Sequence, residues 1–143
     1  MPIFKDFIKS TGVKKGDFGI EVTETAELNN LSLASLRLSS IKNLGVSIAL
    51  DDFGAGYSAL RYLKDLPIDL LKLDKSFTTE MAETHNQSLI QIAKLMADSL
   101  SMEFICEGLE EEWQIEKAIS LGCERGQGYF LHKPCSLEDL TNE

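Results

Sequence analysis

Val46-Ser47-Ile48-Ala49-Leu50-Asp51-Asp52-Phe53-Gly54-Ala55-Gly56-Tyr57-Ser58 is the stretch on which the fold of this chain turns. The apolar run 46–50 predicts a buried strand that ends at two adjacent carboxylates, with a glycine-rich turn beyond them. Neighbouring carboxylates repel each other and lose hydration at a strand end, so each needs compensation to stay charged. A divalent cation is the commonest source of it.

On either side the chain alternates strand-like and helix-like segments without a long linker. Strands are expected at 18–23, 46–50, 68–73, 103–106 and 128–131. Apolar residues Leu33, Leu36, Leu38, Ile41 and Leu44 predict a helix over 31–44, with Gly45 just past its end. A short helix over 57–66 would stop at Pro67. Leu89, Ile92, Ala93, Met96 and Leu100 mark a long helix, and Trp113, Ile115 and Ile119 one over 111–121. Ser136-Leu137-Glu138-Asp139 has the spacing of a capping box and predicts a short last helix.

In this βα repeat Glu21, Asp51, Lys72, Glu107 and Gln127 each fall at or beside the C-terminal end of a strand. Parallel α/β architectures gather those ends on one face, where ligands bind. The pattern fits an open flavodoxin-like sheet of about five strands. It equally fits an incomplete (β/α)8 barrel, whose full form takes about 250 residues.

At 143 residues the chain makes one domain. A net charge of −9 argues against a general binder of nucleic-acid polymers, which needs a basic face. It leaves room for a small anionic ligand whose charge metal ions would offset. No apolar run approaches the roughly 20 residues that span a bilayer, and no secretory signal opens the sequence. Cysteines 106, 123 and 135 are too few and too widely spaced for a disulfide framework or a CxxC zinc site, and are expected as buried, reduced thiols. His85 and His132 read as surface residues.

Taken singly, these features have plain structural readings. Lys72 alone reads as a strand-end lysine that snorkels, and Glu107 alone as an acid at a helix start. Gly54-Ala55-Gly56 reads as a turn before it reads as a phosphate cradle. Glu110-Glu111-Glu112 reads as a solvated first turn, and Trp113 with Ile119 as core.

The ordered set is more specific. Ile20-Glu21-Val22-Thr23-Glu24 is followed by Asp51-Asp52-Phe53-Gly54-Ala55-Gly56-Tyr57-Ser58, Leu66-Pro67-Ile68-Asp69 and Leu71-Lys72-Leu73-Asp74-Lys75-Ser76-Phe77. Then come Glu107-Gly108-Leu109-Glu110, Gly126-Gln127-Gly128-Tyr129 and Lys133-Pro134. From about residue 18 onward this resembles, in order and spacing, the C-terminal part of EAL domains, the bacterial phosphodiesterases of cyclic di-GMP. A receiver domain would place its acidic pair near the first strand and is set aside.

The resemblance implies an incomplete EAL-type TIM-like barrel, with residues 1–143 supplying about the last five of eight βα units. It implies metal binding by Glu21, Asp51 and Asp52, and a two-metal Mg²⁺ or Mn²⁺ site in the complete domain. Lys72 would hold a water or phosphate oxygen and Glu107 would be the general base. Gln127 would support the site by hydrogen bonding, and Glu24 would brace the loop after Asp52. Two metals about 3.5–4 Å apart can clamp the attacking and leaving oxygens of a phosphodiester. The implied reaction is hydrolysis of cyclic di-GMP to linear pGpG.

Partners implied in the same way are cyclic di-GMP, a second copy of the chain, and an upstream sensor or GGDEF domain, in the bacterial cytoplasm. Two departures stand out. The Glu-Ala-Leu segment and a metal-binding asparagine have no counterpart before Glu21, so the alternative is a catalytically incomplete ligand-binding or interaction module. Cys106-Glu107-Gly108-Leu109-Glu110-Glu111 stands where the family has Ala-Glu-Gly-Val-Glu-Thr; the added carboxylate works toward a higher pKa of Glu107, while the net direction depends on the surrounding fold.

Overall fold

The computed structural model describes residues 6–8, 10, 16, 18–23, 31–56 and 62–140. Four parallel strands form one sheet: β1 (Gly19–Thr23), β2 (Ser47–Phe53), β3 (Leu70–Leu73) and β4 (Glu103–Cys106). Helix α1 (Leu31–Lys42) joins β1 to β2, and a 3₁₀ turn (Leu63–Asp65) precedes β3. Between β3 and β4 lie a one-turn helix α2 (Lys75–Thr79) and the longer α3 (Thr84–Ser99). Helix α4 (Glu112–Ser120) follows β4, and α5 (Leu137–Leu140) comes last.

Spatial order equals chain order, β1-β2-β3-β4. A flavodoxin-like sheet reverses direction at a switch point, whereas sequential parallel neighbours form an arc of a barrel. The sheet therefore decides between the two architectures that the strand pattern left open.

Strand register divides the side chains into two sets. Glu21 pairs with Ala49, Ala49 with Leu70, and Lys72 with Ile105. With alternate residues pointing the same way, Glu21, Ala49, Asp51, Lys72, Glu103 and Ile105 share one face. Ile48, Leu50, Leu71, Leu73, Phe104 and Cys106 take the opposite face and form the core, with Ile90, Ala93 and Ala97 of α3 and Ala118 of α4. Full burial of such a Leu, Ile or Phe contributes about 1.5–3 kcal/mol. The hydrophobic face is therefore clamped by helices and the polar face is left for chemistry.

Local chemistry sets the element ends. Gly45 donates its N–H to Lys42 O and closes α1 as expected. Asp74 Oδ1 accepts the N–H of Ser76 at 3.0 Å and starts α2 directly after β3, a helix not anticipated from the sequence. Ser136 Oγ accepts the N–H of Asp139 at 3.2 Å, which is half of the expected capping box at α5.

Four expectations are corrected. The segment 128–131 is a turn rather than a fifth strand: only Gly126 bridges to Cys106, and the N–H groups of Leu131 and His132 then fold back onto Gly128 O. β4 has ended by that point, and the Leu109 carbonyl is taken by Phe130, so no ladder can continue. Trp113 and Ile119 are exposed, at 38% and 66%, because α4 turns Gln114 and Ala118 inward. Leu33 and Leu36 of α1 and Leu89 and Ile92 of α3 are exposed too, while Leu38 and Ile90 face the core. Cys135 is exposed, unlike Cys106 and Cys123. Of the helix expected over 57–66, residues 57–61 lie outside the described residues, as does Glu24.

Candidate functional site

The site begins with a break in β2. In a regular strand Asp51 and Asp52 would point to opposite faces. Between Leu50 and Phe53 the register against β3 slips, and Asp52 adopts φ +54°. Such a bulge re-aims a side chain, and aspartate tolerates the left-handed region better than most residues. The result brings carboxylate oxygens of Asp51, Asp52 and Glu107 within 4.8 Å of one another.

Lys72 sits among these acids. Its Nζ lies 2.8 Å from each of Glu21 Oε1, Asp51 Oδ1 and Glu107 Oε1. The lysine side chain is 6% exposed, against 15% for Glu107, 20% for Asp51 and 54% for Glu21. Burial alone would push the ammonium toward neutrality. Hydrogen bonds to Asp51, Glu107 and Glu21 outweigh it and hold the Lys72 pKa above the ordinary lysine range. The lysine is a fixed cation, not a proton carrier.

Glu107 follows the last residue of β4. Its N–H donates to Leu73 O at 3.3 Å, which ties it to the strand that carries Lys72. Burial pushes the Glu107 pKa above the ordinary glutamate value; Lys72 opposes that shift, and the negative charges of Asp51 and Glu21 add to it. The sequence leaves the net direction open, and the fold sets it upward. The cause is burial first and strand-end carboxylates second, rather than Glu111 in the next loop.

Glu107 also opens onto a cavity of about 590 Å³ whose wall includes Gln127, Tyr129, His132, Lys75 and Lys133. The Gln127 backbone is held on both sides, its N–H donating to Cys106 O at 2.9 Å and its carbonyl accepting from Leu109 N. The sequence places Gln127 at this rim, although the residues that follow it form a turn. Gly128 packs so closely that a Cβ there would lie 2.0 Å from Leu109 O, so the turn can be built only with glycine.

Of the seven residues singled out from the sequence, Glu21, Asp51, Lys72 and Glu107 meet directly. Asp52 joins two of them, Gln127 stands on the cavity beside Glu107, and Glu24 lies outside the described residues. Among the described residues Glu21 reaches the site through Lys72, and Glu107 completes the carboxylate triad. The triad offers hard oxygen donors, and with Glu21 the carboxylates outnumber the ammonium, so the donor set suits Mg²⁺ or Mn²⁺.

Two supporting residues were missed. Gln114 is buried: its Oε1 accepts the N–H groups of Glu110 at 2.7 Å and Glu111 at 2.9 Å, and its Nε2 donates to Thr78 O at 3.1 Å. Its sequence signal is a glutamine three residues after the N-cap Glu111. Thr78, fully buried on α2, has no such signal.

The family model of the EAL domain matches residues 1–134, beginning ahead of the first motif quoted above. Cyclic di-GMP phosphodiesterase PdeA of Borreliella burgdorferi is 35% identical over 136 residues, covering 92% of this chain and 20% of that protein. The EAL domain of Mycobacterium smegmatis DcpA superposes with a TM-score of 0.92 at 31% identity, over 97% of this chain and 63% of that one. Klebsiella pneumoniae BlrP1, solved as a complex with manganese and cyclic di-GMP, superposes with a TM-score of 0.86 at 26% identity, over 94% and 34% of the two chains. The chain spans about a fifth of the length of the curated relatives it matches. The sheet is thus an arc of a TIM-like barrel, and the chain belongs to the EAL domain family.

Proposed function

We propose that this chain is the C-terminal portion of a cyclic di-GMP phosphodiesterase domain that hydrolyses the cyclic dinucleotide to linear pGpG. One observation carries the reading: Lys72 Nζ lies 2.8 Å from Glu21, Asp51 and Glu107, while Asp51, Asp52 and Glu107 form an oxygen cluster beside an open cavity.

Asp51 and Asp52, with Glu21, would hold Mg²⁺ or Mn²⁺ in the complete domain. When bound, the cations polarise the phosphodiester and make a bound water more acidic. Glu107 accepts a proton from the attacking water; burial keeps it basic, and Lys72 keeps it from protonating too early. Lys72, held protonated, presents a compact positive charge to a phosphate oxygen. Gln127 borders the space the substrate takes up. The water oxygen bonds to phosphorus, one ester P–O bond breaks, and the leaving oxygen takes up a proton. Such a domain works in the bacterial cytoplasm, in company with a sensor or GGDEF domain.

The test is hydrolysis of cyclic di-GMP by this chain, and by a longer protein that contains it, in Mg²⁺ or Mn²⁺, with pGpG read by chromatography. Glu107→Gln should lower the rate by about 10²–10⁴-fold. No hydrolysis by either protein, with nucleotide still bound, would favour the binding-module reading. That alternative draws support from the described sheet, in which β1 pairs with β2 alone.

A further inference from the structure

We infer that Thr78 is a positioning residue for Glu107, acting through the backbone and not on substrate. The inference rests on the proposed metal site and goes beyond it, to how that site is kept in shape. Thr78 Oγ1 lies 2.5 Å from Glu107 O and 2.8 Å from Lys75 O, in a position that is fully buried. A hydroxyl has a single proton to donate, and the shorter distance gives it to Glu107. With the Glu107 N–H donating to Leu73 O, the peptide groups on both sides of the Glu107 Cα are fixed. The Cα–Cβ direction is then set, and the carboxylate is delivered to Lys72, Asp51 and Asp52.

Two further features fit this role. Gly108 adopts φ +70°, and a Cβ on it would lie 2.5 Å from Lys75 Cβ and 3.1 Å from Thr78 Oγ1. Glycine is therefore what lets the loop after β4 come close enough for the hydroxyl to reach it. From the other side Gln114 Nε2 donates to the carbonyl of Thr78 itself, and its Oε1 gathers the N–H groups of Glu110 and Glu111. Helix α2, the loop after β4 and the start of α4 are joined through Thr78. Glu107 is the third carboxylate of the oxygen cluster with Asp51 and Asp52, so its direction bears on metal affinity as well as on the water it would deprotonate; partners that orient such a carboxylate commonly account for 10–100-fold in affinity.

The experiment titrates the full chain with Mn²⁺, reading free ion by electron paramagnetic resonance and counting only binding that Asp51→Asn removes. Thr78→Val keeps the shape and loses the hydroxyl; Thr78→Ser keeps the hydroxyl and loses the methyl. Orientation by hydrogen bond requires affinity to fall about tenfold or more in Thr78→Val and to stay within twofold of the parent in Thr78→Ser. Equal affinity in all three proteins overturns the inference, as does an equal fall in both variants or a loss confined to Thr78→Ser, which would mean that the methyl matters by packing. If Thr78→Val does not fold, Thr78→Ala against Thr78→Ser decides the same point. Absence of site-specific Mn²⁺ binding in the parent protein overturns the metal-site reading itself, and the inference with it; binding that Thr78 does not influence overturns the inference alone.

Discussion

At the scale of single residues, Lys72 organises the strand-end face. Removing one member of a buried charge cluster leaves the others uncompensated, which costs about 3–5 kcal/mol. Glu21 is half exposed and keeps much of its hydration, so Lys72→Met should cost about 3 kcal/mol, near the lower end of that range. Urea denaturation without divalent metal measures it, and Mg²⁺ or Mn²⁺ should restore part of the loss by replacing the missing positive charge. Glu107 gives a second expectation, with a definite sign. Burial raises its pKa in the folded chain above the unfolded value, so the folded state takes up the proton more readily. Its contribution to stability in metal-free protein is therefore greatest at low pH and declines as pH rises from the ordinary glutamate value through the raised one. Glu107→Gln should remove that decline, as read from urea midpoints across pH.

At the scale of elements, the short helices and loops matter more than their length suggests. Gln114 makes three hydrogen bonds from a buried position and sets where α4 begins. Gln114→Ala leaves two N–H groups and a carbonyl short of partners and should cost about 1–3 kcal/mol. Gln114→Glu keeps the acceptor and loses the donor to Thr78, so it should fall between, as thermal unfolding would show. These are also the elements the sequence concealed. β1 to β4 were legible because parallel strands buried on one face and ending in polar residues leave a simple signature. α2 was not: one turn is too short for periodicity, and its only mark is the Asp74-Lys75-Ser76 cap. Trp113 and Ile119 misled because large apolar residues suggest the core, whereas α4 buries glutamine and alanine against the loop it supports. Glu21, Asp51, Lys72 and Glu107 could be read from strand ends, since register alone brings them to one face. Thr78 could not, because its role depends on how closely two loops approach.

At the scale of the whole molecule, the two sides of the sheet have different fates. The core side is covered by α3 and α4, while the opposite side carries charged residues and borders a second cavity of about 720 Å³ that includes Glu21, Glu103 and Arg125. Among the described residues the outer edge of β1 has no strand partner, and an unpaired edge seeks one. We therefore expect the 143-residue chain to self-associate in solution, with light scattering giving a mass above the monomer that grows with concentration. A constant monomer mass over the series would contradict this. A competing cause is the exposed apolar stripe Leu89, Ile92 and Leu95 on α3, which also favours association. The two causes separate cleanly. Ile92 is 60% exposed, so Ile92→Glu disturbs the stripe without entering the core. If edge pairing is responsible, Ile92→Glu should leave the mass unchanged, and a longer protein that supplies further barrel strands should be the one that loses the association. If Ile92→Glu alone yields a monomer, the helix face is the interface, and β1 does not drive assembly.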